Sequence, residues 1–234
     1  MEIVGIVAEY TPFHNGHRHQ IAQARALAGA GAVVCAMSGN FVQRGDCAVT
    51  DKWTRARMAL EGGADLILEL PTVWASSSAE TFARGSVEIL HAAGATALSF
   101  GSETGDGAAL AQVAQVLDDP AFSQALQPFL SRGLPFAQCR HRAVQELLGE
   151  EVASCLANAN DNLGVEYLRA ARRLGWSPKV YPVLRVGAGH DGGDHPLYPS
   201  ASHVRGEIRT GAVAMDNPAF LSYNQRGMLA RLRG

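Results

Sequence analysis

A Rossmann-like, doubly wound α/β fold with a parallel sheet and a helical insertion is predicted by three observations. Short, mostly apolar runs alternate with helix-like segments through roughly the first hundred residues and again near residue 180, as expected for strands covered on both faces. Strand-like sequence disappears between about 108 and 175, where helix-forming sequence dominates. The first apolar run passes directly into a Gly-containing turn flanked by two histidines, the position at which folds of this class hold anions.

The elements follow in order. Ile3-Val4-Gly5-Ile6-Val7-Ala8 centres a first strand over 2–8, and Arg18 to Leu27 reads as the helix after it. Ala32-Val33-Val34-Cys35-Ala36-Met37 is the second strand. Asp51 is placed to cap a helix through Leu60 that stops at Gly62-Gly63. Asp65-Leu66-Ile67-Leu68-Glu69-Leu70 is the third strand, Ser78 to Ala92 a helix stopping at Gly94, and 97–100 the fourth strand. The insertion is punctuated at Asp119-Pro120, Gly133-Leu134-Pro135 and Asn158 to Asn162. The chain rejoins the sheet at 179–184, crosses a Gly-rich loop over 185–194 and enters a last helix near Ser202. Right-handed crossovers then put the loops at 9–17, 38–50, 71–78 and 101–107 on one rim, with a nucleotide at the switch point.

The 234 residues are 47% hydrophobic and 18% charged, a globular balance without internal repeat or low-complexity tract. No run of about 18 apolar residues exists to span a bilayer, and the N-terminus enters a strand with no basic leader, so a cytoplasmic protein without a membrane partner is expected. Cys35, Cys47, Cys139 and Cys155 lack the paired spacing of a zinc site and are assigned no chemistry. The net charge of −2 is uneven: residues 1–131 carry 7 Lys/Arg against 13 Asp/Glu, and residues 132–234 carry 13 against 9. The basic half is either ordinary solvated helix surface or a face for a phosphate-rich partner.

Four constellations carry candidate chemistry. His14-Asn15-Gly16-His17 is the strongest: first-turn N–H groups and the helix dipole favour phosphate oxygens, Gly16 lets the backbone approach, and the imidazoles add directional donors. Ser200, Ser202 and Arg205 open the last helix and form either a second phosphate clamp or a Ser-capped helix with a surface Arg. Gly39 to Asp46 is a polar loop on the same rim, a turn or a substrate contact, with Arg44 as its basic element. Asn158 to Asn162 is either a cap and turn or a set of amides presented to a nucleotide.

Together these residues resemble the nucleotidyltransferase superfamily that carries the His-x-Gly-His motif and, within it, the bacterial tRNA(Met) cytidine acetate ligase family. The resemblance is carried by seven blocks in order: Val7 to His17, Met37 to Gly45, Asp51-Lys52-Trp53-Thr54-Arg55, Glu69-Leu70-Pro71, Phe100-Gly101-Ser102-Glu103, Leu163-Gly164-Val165-Glu166-Tyr167 and Gly187-Ala188-Gly189. It implies a nucleotidyltransferase-like ATP-binding domain over 1–209, including the insertion at about 108–175, and an enzyme that activates acetate with ATP as acetyl-adenylate. The acetyl group would pass to N4 of the wobble cytidine of elongator tRNA(Met); no DNA partner is implied.

By motif position the resemblance implies ATP contacts from Val7, Ala8, Glu9, Tyr10, Thr11, Pro12, Phe13, His14, Asn15, Gly16, His17, Arg18, His19 and Gln20, then Gly101, Asn160 and Arg185, with Asn162 a rival to Asn160. His14 and His17 would be catalytic. Mg²⁺ would accompany ATP without a protein carboxylate that stands out as its ligand, and no metal site is assigned. Arg44, Lys52 and Arg55 are the candidate tRNA or substrate contacts. The chain departs from the family at Thr11, where Asn is usual. Only 29 residues follow Arg205, so 210–234 is expected to be a short extension with the family's C-terminal region missing. Two rival readings share the same motifs: an adenylyl or cytidylyl transferase with a phosphate or nucleotide acceptor, and a nucleotide- or RNA-binding protein that retains only the ATP site.

Overall fold

The computed structural model describes residues 1–43, 45–185 and 201–210. Arg44, Ser200, the Gly187-Ala188-Gly189 block and the extension after 210 therefore lie outside the described residues. Five parallel strands form one sheet in the order β3-β2-β1-β4-β5, with β1 at Ile3–Ala8, β2 at Ala32–Ser38, β3 at Leu66–Leu70, β4 at Ala97–Ser102 and β5 at Lys179–Leu184. Each stands within two residues of its predicted place. The order reverses between β1 and β4, so the rim above that pair is the topological switch point.

Helices α1 (Asn15–Ala28), α2 (Lys52–Glu61), α3 (Thr72–Ala75) and α4 (Ala79–Ala92) alternate with the first strands. Their ends follow from sequence. The Asp51 carboxylate accepts the Thr54 N–H at 3.0 Å and the Ser78 hydroxyl accepts that of Thr81, while Gly63 leaves α2 at φ +111°, a conformation that favours glycine. One boundary differs from expectation. Helix α1 starts three residues before Arg18 because His14 itself is the cap.

Period-2 alternation divides the core into two layers. Val33, Cys35 and Met37 of β2 join Val4, Ile6, Tyr10, Phe13, Ile21 and Val204 on one face. Val34 and Ala36 join Leu90, Leu98, Phe100 and the helices between β4 and β5 on the other. Those helices are α5 (Gly107–Val116), α6 (Pro120–Leu130), α7 (Phe136–Leu148), α8 (Glu150–Ala153) and α9 (Ala159–Arg173), with a 3₁₀ turn at Ser154–Ala157. The last of them, α9, packs directly on the sheet: a Cβ on Gly164 would meet Phe100 at 2.5 Å, so only glycine permits this approach. Helix α10 (Ala201–Thr210) returns to the α1 face through Val204.

A chain of ion pairs ties α9 to its neighbours. Glu166 accepts from Arg140 at 2.7 Å and Arg169 at 2.9 Å, and Asp118 accepts from Arg169 and Arg173. Three arginines of the basic half are thus paired with carboxylates inside the fold, which narrows the surface that half offers to a polyanion.

Candidate functional site

A pocket of about 220 Å³ opens at the switch point, on the rim formed by the carboxyl ends of β1 and β4. Its floor is Val7 and Ala8, followed by Glu9, Tyr10 and Thr11 as the chain leaves β1. Tyr10 turns the chain with φ +49°, unusual for a bulky residue, and is held there by burial and by an Oη–Sγ contact of 3.4 Å with Cys35. The Thr11–Pro12 peptide is cis, and the Thr11 hydroxyl accepts the Val49 N–H at 3.0 Å, joining this turn to the neighbouring rim loop.

The histidine pair is built into the start of α1. His14 Nδ1 accepts the Gly16 N–H at 3.1 Å, and His17 Nδ1 accepts the His14 N–H at 3.3 Å. Each ring therefore keeps its proton on Nε2, ready to donate. The rings stack with centroids 3.8 Å apart, and Tyr10 meets His17 edge-on at 4.9 Å. Burial first, then the Arg185 and Arg205 charges, lower the His14 pKa to about 4; burial, His14 and Arg185 hold His17 well below its ordinary value. Both are neutral donors near pH 7.

A pH dependence follows. Below the unfolded value of about 6.5 the unfolded chain binds a proton at His14 that the folded chain refuses, so stability is lost as pH falls from 6.5 towards about 4. For His14 the loss is of the order of 3 kcal/mol by pH 4. Thermal unfolding without nucleotide should show the melting temperature falling more steeply over this range than in a His14→Gln variant. Parallel curves would exclude the buried neutral imidazole as the cause.

The opposite wall comes from β4 and α9, which are locked reciprocally. Glu103 accepts the backbone N–H groups of Asn160 and Asp161 at 3.3 and 3.0 Å and the Asn160 side-chain amide at 2.5 Å. In return, the buried Asp161 carboxylate accepts the Ser102 hydroxyl and the N–H groups of Glu103 and Thr104. This lock holds Gly101 and Asn160 on the pocket, whereas Asn162 is not among its lining residues. Arg185 and Arg205 complete the polar side; Arg205 also donates to the Thr11 carbonyl at 3.1 Å and the Ser202 hydroxyl at 3.0 Å.

The expected ATP stretch divides in two. Val7 to Thr11, His17 and Gln20 line the pocket, while His14 supports His17 from behind. Pro12 and Phe13 are buried, Asn15 and Gly16 form the first turn of α1, and Arg18 and His19 lie on that helix away from the lining. Gln43 lines the pocket from the polar rim loop at 39–46, where nothing in the sequence distinguishes it from its neighbours. Phe82, Phe100, Leu163, Tyr167 and Ala201 were also missed. Leu163 and Tyr167 were legible as the positions i+3 and i+7 from Asn160 on one helix face; the two Phe side chains carry no signal separating them from core.

The structure corrects Arg55 as a substrate or tRNA contact. Its side chain is 0% exposed and donates to the carbonyls of Thr50, Glu9, Ser38 and Gly39, because a fully buried guanidinium needs a partner for each N–H edge. Lys52 remains partly exposed, paired with Glu69 at 2.6 Å and 5.4 Å from the Trp53 ring centre. Among the described residues no helix is long and apolar enough to cross a membrane, and no group of three or more His, Cys, Asp or Glu could hold a metal.

Comparison with known proteins gives a consistent result. The family model described as HIGH Nucleotidyl Transferase matches residues 1–229. The chain is 43% identical over 216 residues to a tRNA(Met) cytidine acetate ligase of Syntrophotalea carbinolica, covering 90% of this chain and 52% of that protein. It is 38% identical over 241 residues to the protein of the same name from Clostridium perfringens, covering 96% and 60%. The crystal structure of Thermotoga maritima TmcAL bound with alpha-thio ATP superposes with a TM-score of 0.90 at 35% identity, over 99% of this chain and 56% of that one. The chain thus spans about half the length of the curated relatives it matches.

Proposed function

The chain belongs to the HIGH nucleotidyl transferase family, and from that premise we propose that its pocket binds ATP and activates acetate as acetyl-adenylate. The acetyl group then passes to N4 of the wobble cytidine of elongator tRNA(Met). One observation carries the adenylating half: a neutral His17, stacked on His14 behind it, lines a pocket at the switch point together with Arg185 and Arg205. Similarity to proteins named tRNA(Met) cytidine acetate ligase, and to a structure holding an ATP analogue, supports the choice of ATP, acetate and tRNA.

In this reading the catalysis is positional and electrostatic. Acetate attacks the α-phosphorus in line. His17 donates from Nε2 to the phosphate oxygens, His14 holds it in register, and the α1 N-terminus adds its dipole, its Gly16 and His17 N–H groups being taken up by the His14 cap. Arg185 and Arg205, with Ser202, receive the departing pyrophosphate. Mg²⁺ would accompany ATP and screen the β- and γ-phosphates, held by the phosphates themselves, since no acidic cluster stands out among the described residues. The cytidine amine then attacks the acetyl carbonyl. A base in the single-stranded anticodon loop is already free to unstack, which favours that acceptor over a duplex one. Lys52 and Arg44 remain the candidate contacts for its phosphates, and a cytoplasmic location follows from a tRNA substrate.

The test is exchange of labelled pyrophosphate into ATP. Exchange that requires acetate is expected, with label from acetate appearing in elongator tRNA(Met) when that RNA is supplied. Exchange indifferent to acetate and stimulated by a phosphomonoester would replace this reading with a phosphate-acceptor transferase, and adenylate formation without labelled tRNA would confine the chain to the first half-reaction.

A further inference from the structure

The pocket has a second end that the polar machinery does not use. Phe82 from α4, Phe100 from β4, and Leu163 and Tyr167 from α9 form an apolar wall on the sheet face opposite α1. Along α9, Asn160, Leu163 and Tyr167 make one stripe, and the rise of about 1.5 Å per residue separates Tyr167 from Asn160 by about 10 Å along the helix. Tyr167 is 4% exposed and packs on Phe100 with centroids 5.8 Å apart, and its hydroxyl, which no described residue bonds, is not sealed in the interior but belongs to a side chain that lines the pocket. A hydroxyl that opens onto a largely apolar cavity wall is a donor free for a ligand atom.

We propose that this wall is the acid-binding end of the site: it accepts the methyl group of a two-carbon carboxylic acid and limits chain length, while the Tyr167 hydroxyl donates to one carboxylate oxygen. The proposal rests on the adenylation reading above. The second carboxylate oxygen forms the new bond to the α-phosphorus as the bond to pyrophosphate breaks, and no proton moves in that step. Burial, and then the Glu9 charge, hold the Tyr167 pKa well above its ordinary value, so the group serves as a donor. Phe82 and Phe100 are nearly fully buried in the core cluster, so the wall cannot retreat before a longer acid.

In this reading the phosphates lie with the polar residues His17, Arg185 and Arg205, which line the same pocket. In-line attack then requires an acid seated against Tyr167 to approach the α-phosphorus from the side opposite the pyrophosphate.

Two variants test this by acetate-dependent pyrophosphate exchange, with ATP affinity measured separately by equilibrium binding and folding by thermal unfolding. Tyr167→Phe should lower kcat/KM for acetate by about 10- to 100-fold and leave ATP affinity within about twofold, since one hydrogen bond to a charged group is lost. Leu163→Ala should raise the ratio of kcat/KM for propionate over acetate by at least about tenfold, the scale of one methylene in a shaped pocket. If the unmodified chain exchanges with acetate but Tyr167→Phe does so equally well, this proposal alone falls. A parallel loss of ATP affinity in Tyr167→Phe would assign the wall to the nucleotide base and overturn it too. No acetate-dependent exchange in the unmodified chain would overturn both the adenylation reading and this one.

Discussion

Replacing His17 with Ala is expected to slow acetate-dependent pyrophosphate exchange by about a hundredfold or more, the scale of losing one preorganised transition-state donor. The expectation rests on how firmly the ring is fixed. Its Nδ1 is held by the His14 N–H at 3.3 Å, one face stacks on His14 at 3.8 Å, and Tyr10 closes its edge. Only Nε2 is left to act on a ligand, and its proton is in place because burial, the neighbouring His14 and the Arg185 charge disfavour the imidazolium.

His17→Ala also removes half of the capping arrangement at α1, worth about 0.5–2 kcal/mol. A modest fall in melting temperature should therefore accompany the variant. The separation lies in kinetics: a structural defect at the cap weakens ATP binding, whereas loss of a donor that acts on developing charge lowers kcat with a smaller change in ATP affinity. Near-normal turnover would remove His17 from the chemistry and leave it as a cap.

Much of this arrangement is legible in the chain alone, for a physical reason. Parallel strands buried on both faces must be almost uniformly apolar, so Ile3 to Ala8 and Ala32 to Met37 stand out against capped, amphipathic helices. Once strand order is implied, the rim loops and the histidine turn fall together without any coordinates. The residues that escaped are those whose identity does not encode their surroundings. Phe82 and Phe100 face a cavity with the same side chains that would fill a core. The link between Glu103 and Asp161 joins residues 58 apart, and each alone reads as a surface carboxylate.

Arg55 illustrates the opposite error. A basic residue in a Lys-Trp-Thr-Arg run at the start of a rim helix has the composition of a phosphate contact, and only tertiary burial shows otherwise.

Arg55→Met should accordingly destabilise the protein by about 3–5 kcal/mol, the scale expected when several buried carbonyls lose their donor together. At this chain length that is a fall of the order of 10 °C in melting temperature. The guanidinium joins the turn after β1 at the Glu9 carbonyl, the end of β2 at the Ser38 and Gly39 carbonyls, and the approach to α2 at Thr50. Without it, several carbonyls lose their donor at once. The Glu9 segment that walls the pocket also loses its anchor, so ATP affinity should fall with stability. Arg55→Lys should rescue little, because one ammonium cannot fork across three separate segments.

Lys52→Ala provides the contrast. Its pair with Glu69 is solvent-accessible and worth at most about 1 kcal/mol, so its melting temperature should stay close to that of the unmodified chain. Any effect of Lys52→Ala should appear only when tRNA is the acceptor. A stable Arg55→Met variant with intact ATP binding and a selective loss of tRNA acetylation would reverse the assignment, since only a side chain that reaches solvent can touch RNA without supporting the fold.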